Sequence, residues 1–86
     1  MIEKVLGSKG KVRILKVLSR KGAMNVTRIA KEVGLNYRAT IKHLSELVEA
    51  GVIKEVKLGR LRIFMIDESN PLGRRIKDLF SYEPSS

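Results

Sequence analysis

From Asn25 to Gly51 the chain reads NVTRIAKEVGLNYRATIKHLSELVEAG, two helical repeats separated only by a glycine, a leucine and an asparagine. That spacing leaves little choice of fold. Asn25 stands where its side-chain oxygen can cap a helix, Ile29, Ala30 and Val33 recur at helical spacing, and Gly34 supplies the left-handed residue that ends it. Leu35 then fills the corner. Asn36 caps a second helix, on which Ile41, Leu44, Leu47 and Val48 share one face until Gly51 stops it. The pattern predicts a helix-turn-helix.

At about 100° per residue, the opposite face of the second helix carries Arg38, Ala39, Lys42, Ser45 and Glu46. Asn36 and His43 lie on its flank, and Tyr37 and Thr40 fall toward the core side. Such a helix, with short and basic side chains near its start, fits the major groove of B-DNA, where the first residues of the second helix reach base edges.

The charge supports a polyanionic partner. The chain of 86 residues has a formal net charge of +9 and no cysteine. Positive surface gains from phosphates by releasing their counterions, although ribosomal and membrane-surface proteins share such a charge. Disulfides and thiolate metal sites are excluded, and His43 with scattered acids makes no metal cluster, so neither a metal nor another cofactor is expected. No carboxylate pair, activated nucleophile or glycine-rich phosphate loop occurs at usable spacing, so no enzyme is expected. No apolar run approaches the roughly 20 residues that span a bilayer, and the start MIEKVLGSKGK has no signal-like apolar region. The expectation is a single domain of residues 1–86, cytoplasmic, near the nucleoid and off the membrane.

The charge is unevenly spread. Residues 1–34 carry nine cations against two acids, the second helix is balanced, and residues 52–66 carry four cations against one. Phosphate contacts would then flank a nearly neutral reading head, as expected when positioning and base reading are separate tasks.

Before the helix-turn-helix, Ser8 predicts the cap of a helix running to about Arg20 and stopped by Gly22. Its apolar residues Ile14, Leu15, Val17 and Leu18 cover an arc of about 160°, wider than the stripe most surface helices bury. Such an arc implies either a second subunit or a central helix covered by its own chain. Lys9, Arg13, Lys16 and Arg20 form one strip on this helix, open to two readings: solvated surface or a phosphate contact. Ala23 and Met24 make a connector, with a single-bridge strand as one form of it.

After Gly51 the period changes to that of strands. Val52–Leu58 and Leu61–Ile66 flank Gly59-Arg60, which suits a type II′ hairpin turn with glycine first. In that register Leu58 faces Leu61, Lys57 faces Arg62, Val56 faces Ile63, Glu55 faces Phe64 and Ile53 faces Ile66. The expected hairpin has an apolar base and a cationic tip, where Lys57, Arg62 and Arg60 repel one another unless an anion lies beside them. An edge hairpin kept soluble by its charges would look the same. Asn70-Pro71 then opens a last helix, with Leu72, Ile76, Leu79 and Phe80 on one stripe. Met1–Leu6 stays open between an extra helical turn and a strap, and EPSS at the end reads as a frayed tail.

This order of elements, and TRIAKEVGLNYRATIKHLSELVEAGVIKE in particular, resembles the small winged-helix regulators of bacteria and archaea, nearest in layout to the arsenical-resistance repressor (ArsR) type. The resemblance spans nearly the whole chain. It implies a mainly α fold with a small β-hairpin wing (α+β), a three-helix core and a C-terminal helix. It further implies sequence-specific binding of double-stranded DNA by a homodimer joined through the first helix, the C-terminal helix or both. Carried across by position, the reading residues are Asn36, Tyr37, Arg38, Lys42 and His43, and the wing contacts Lys57, Arg60 and Arg62. The metal-sensing ligands of that family are absent. Two other uses of such a domain are an architectural chromatin protein and a protein-interaction module of a transcription or replication assembly.

Overall fold

The computed structural model describes residues 7–82, so the readings of Met1–Leu6 and of the EPSS tail fall outside the described residues. The elements are α1 (Lys9–Lys21), β1 (Met24–Asn25), α2 (Val26–Val33), α3 (Tyr37–Glu49), β2 (Ile53–Leu58), β3 (Leu61–Ile66) and α4 (Pro71–Ser81). Each helix starts where a side chain can replace a missing backbone partner. The Ser8 hydroxyl accepts from the Lys11 amide, and the Asn25, Asn36 and Asn70 side-chain oxygens accept from Arg28, Ala39 and Leu72. Gly34, at φ 73°, turns the chain between α2 and α3, and Leu35 packs into the corner.

Three antiparallel strands form the sheet, in the order β1-β3-β2. The hairpin register is the expected one, from Ile53 opposite Ile66 to Leu58 opposite Leu61. Gly59 takes φ 61° and Arg60 stays at negative φ, as a type II′ turn requires. The connector reading of residues 23–24 shifts by one residue, because Met24 and Asn25 pair with Phe64 and Ile63 to make a true third strand.

The core gathers Ile14, Leu15 and Leu18 of α1, Ile29 and Val33 of α2, Leu44 and Leu47 of α3, Ile53, Phe64 and Ile66 of the sheet, and Ile76 and Phe80 of α4. Most of the wide apolar arc of α1 is covered by its own chain, since α1 packs chiefly on α4 and also on α2, α3 and β3. Lys16 reinforces that contact with its ammonium 5.7 Å from the Phe80 ring centre.

Two faces differ from the helical-wheel expectation. On α4, Leu79 is 61% exposed, and the stripe that docks is Gly73, Ile76 and Phe80, with Leu72 at its edge. At Gly73 the helix lies directly against the backbone carbonyls of Asp67 and Val52, an approach that a side chain there would block. On α3, Val48 is exposed against that expectation, while Thr40, placed toward the core by the wheel, is fully buried with its hydroxyl donating to the Asn36 carbonyl at 2.8 Å. That local bond removes the cost of burying the hydroxyl.

Candidate nucleic-acid interface

With Thr40, Leu44 and Leu47 buried, α3 turns the opposite face outward, and Arg38, Lys42, Ser45 and Glu46 are exposed there. Asn36 sits at the head of this face. Its side-chain oxygen is used 2.8 Å from the Ala39 amide, which leaves its NH₂ group as the part able to donate outward. Glu46 is drawn aside by Lys11, whose ammonium lies 2.9 Å from its carboxylate, so the acid on this face is neutralised from α1. The outward face of α3 is therefore positive in effect, through Arg38 and Lys42.

Tyr37 does not face the core. As the first residue of α3 it projects past the last turn of packing, is 56% exposed, and stands beside the wing. A cleft of about 180 Å³ is lined by Asn25, Val26 and Thr27 at the start of α2, by Tyr37, and by Arg60, Leu61 and Arg62 of the hairpin. The wing tip and the start of the reading helix thus border one opening. Thr27 belongs to this site and was not singled out from the sequence; its signal is its place in the first turn of α2, where backbone N–H groups lack helical partners and can meet an anion.

His43 lies against α1. Its ring is partly buried, its Nδ1 is buried without a hydrogen-bond partner, and a side chain added at Gly10 would come within 2.7 Å of Nε2. The flank position read from the sequence is real, but the flank is the one that α1 covers. Among the described wing cations, Lys57 and Arg60 are exposed. Arg62 differs from the expectation of a repelled, outward cation. Its guanidinium makes two hydrogen bonds to Glu55, at 2.6 and 3.3 Å, and lies 5.5 Å from the Phe64 ring centre. The cross-strand neighbour of Arg62 is Lys57, but its side chain reaches diagonally to Glu55 on the same face. Nor is the tip purely cationic, because Leu58 and Leu61 are 61% and 53% exposed there.

These contacts set the acid behaviour of the fold. The Arg62 hydrogen bonds hold the Glu55 carboxyl below its ordinary value, and the same carboxylate, helped by Tyr37, raises the Arg62 guanidinium. Hydrogen bonds from Lys11, Lys21 and Lys77 likewise lower Glu46, Glu32 and Glu68, and Ser69 lowers Asp67. A carboxyl with a depressed folded value stabilises the fold above its unfolded value and loses that contribution as the pH falls through the folded one. Thermal melts are expected to be level from pH 7 to about 5 and to fall progressively below about 4.5, the ordinary glutamate value. A melting temperature unchanged down to pH 3 would contradict these ion pairs.

Three helices with a reading helix exposed on one side and a basic hairpin beside its start define a winged helix-turn-helix, the architecture of a DNA-binding domain. Residues 11–54, just over half of the chain, match the family model for winged helix-turn-helix DNA-binding domains, and the chain belongs to that family. No curated protein matches it by sequence. Among solved structures it is similar to the AntR antimony-specific transcriptional repressor, with 28% identity over 88% of this chain and 67% of that one and a TM-score of 0.75. A possible transcriptional regulator for arsenical resistance is similar at 26% identity, over 88% of this chain and 75% of that one, with a TM-score of 0.72. The homodimeric winged helix-turn-helix domain Mb0332 from Mycobacterium bovis, a possible ArsR-family regulator, shares the fold at 24% identity, over 93% of this chain and 68% of that one, with a TM-score of 0.75. Among the described residues no helix is long and apolar enough to cross a membrane.

Proposed function

We propose that this chain is a sequence-specific transcriptional regulator that binds double-stranded DNA as a dimer, with α3 in the major groove and the wing on the flanking backbone or minor groove. The observation that carries this reading is the shared border of α3 and the wing, with Arg38 and Lys42 exposed on one side of it and Lys57 and Arg60 on the other. Arg38 has a planar fork that can donate two hydrogen bonds to guanine O6 and N7. Lys42, Lys57 and Arg60 serve phosphates. The cleft between Thr27, Tyr37, Arg60 and Arg62 suits one backbone phosphate, and the Asn36 NH₂ can donate to another acceptor at the head of α3. Arg62 shapes the wing through Glu55, and His43 packs the reading helix onto α1.

Dimerisation is supported by the homodimeric Mb0332 domain and by Leu79 and Tyr82, which are 61% and 87% exposed at the end of α4. The outward strip of α1 carries Lys9 and Arg13, so a two-fold axis along α1 would bring like charges together. The C-terminal helix is the better seam. Leu79→Lys is expected to shift the protein to monomer in sedimentation equilibrium while its thermal unfolding stays within about 0.5 kcal/mol of the parent after correction for the monomer.

The test of function is selection from a random duplex pool, followed by titration over a range of salt. A regulator enriches one motif and keeps its preference as salt rises, and Lys42→Ala or Lys57→Ala each lowers the salt slope by about one. A pool that stays random, with affinity set by salt alone, would leave a sequence-independent chromatin protein instead.

A further inference from the structure

The leucines at the wing tip are not accounted for by phosphate contact. Leu58 and Leu61 face each other across the Gly59-Arg60 turn, so both side chains leave the same face of the hairpin at its far end. More than half of each is in water, while Leu15, Leu18, Leu44 and Leu47 are buried. Exposed hairpin tips are ordinarily polar, since an apolar strand end invites association. The surroundings identify what covers them. Lys57 and Arg60 are exposed around the tip, and the one acid of the hairpin, Glu55, is taken by Arg62. The partner is therefore polyanionic and also offers apolar surface. Leu61 and Arg60 line the same cleft as Tyr37, which places the tip on the reading side of the molecule.

We propose that Leu58 and Leu61 form an apolar wedge that enters the minor groove with Arg60 and partly unstacks one base step, so that the wing bends the DNA it binds. This rests on the reading of the chain as a duplex binder. Two strands lie about 4.8 Å apart before their side chains are counted, and the minor groove of B-DNA is only about 6 Å wide, so the tip enters only if the groove opens. Opening it exposes base faces that bury leucine, and Arg60 meets the phosphates that line it. The preference then extends to flexible steps that no side chain hydrogen-bonds.

The experiment uses the full chain and the duplex recovered from the random pool, labelled at both ends for energy transfer and carrying 2-aminopurine at successive flanking steps. The parent is expected to raise the fluorescence several-fold at one step and to shorten the end-to-end distance. The Leu58→Ser/Leu61→Ser double variant should bind the same motif about tenfold more weakly, with dark 2-aminopurine and a straight duplex. Both positions are exposed, and circular dichroism checks that the variant is folded. A parent that prefers its motif but leaves the duplex straight and dark overturns the wedge and keeps the reader. A pool without a preferred motif overturns the reader itself. Leucine-dependent binding to phosphatidylserine vesicles, with DNA left straight, also overturns the wedge and assigns the tip to a lipid surface.

Discussion

The Gly73→Ala protein is expected to melt about 10–20 °C below its parent, a loss of about 3 kcal/mol, at the upper end of what overpacking costs. Gly73 lies in the first turn of α4, where an added Cβ would press on the carbonyl oxygen of Asp67 and come within 3.0 Å of that of Val52. Both obstacles are backbone. The Val52 carbonyl accepts from the Asp67 amide at 2.9 Å, and the Asp67 carbonyl accepts from the Asn70 amide at 3.2 Å, so neither can swing away without breaking the junction that seats the helix. The helix has to lift instead, and Ile76 and Phe80 lift with it from the side of α1. A domain of this size has only some 4–13 kcal/mol of stability in all, so the loss is a large share of it. A melt within two degrees of the parent would show that α4 does not dock through this glycine.

On the DNA side, Arg38→Ala is expected to lower the preference for the selected motif over its single-base variants by roughly 5- to 150-fold at one position, which is about 1–3 kcal/mol. Affinity for unrelated duplex should change far less, by the loss of one cation. Arg38→Lys separates the two effects, since lysine keeps the charge but not the two-pronged donor. Competition binding against the full set of single-base variants reads both. If Arg38→Ala weakens every duplex equally, Arg38 is a phosphate contact and the base reader lies elsewhere on α3.

The two predictions draw on different levels of information. Arg38 was legible in the sequence because a helix with one buried stripe must show its other side, and the wheel names what stands there. Gly73 was not. Nothing in LGRRIKDLF indicates that two backbone carbonyls outside the helix, that of Asp67 six residues back and that of Val52 twenty-one residues back, will crowd the glycine. The same ignorance put Leu79 on the docking stripe, since a helical wheel gives the width of an apolar face but not the roll of the helix against its neighbour. Tyr37 and Val48, at the two ends of α3, were misplaced because the wheel assumes that the core runs the full length of the helix.

Arg62 shows the remaining limit. The strand register was readable from alternation and from the two-residue turn, and it correctly set Lys57 opposite Arg62. Direct opposition does not choose a partner for a long side chain, however, and Arg62 reaches the diagonal Glu55. The cationic count of the wing was right, and the distribution of that charge was decided by side-chain geometry. For His43, the same is true of burial: its place on the flank follows from the sequence, whereas only the approach of Gly10 shows which neighbour fills that flank.

What the sequence determined by itself was the local architecture: four capped helices, the glycine corner of the helix-turn-helix, the hairpin and its register. These follow from interactions within a few residues, between a cap and its helix or across a turn. The tertiary structure alone decided which cation stays outward, which leucines stay wet, and that the wing tip and the start of α3 border one cleft. Those outcomes depend on how rigid elements roll and approach one another, and that is set by close packing among residues far apart in the chain.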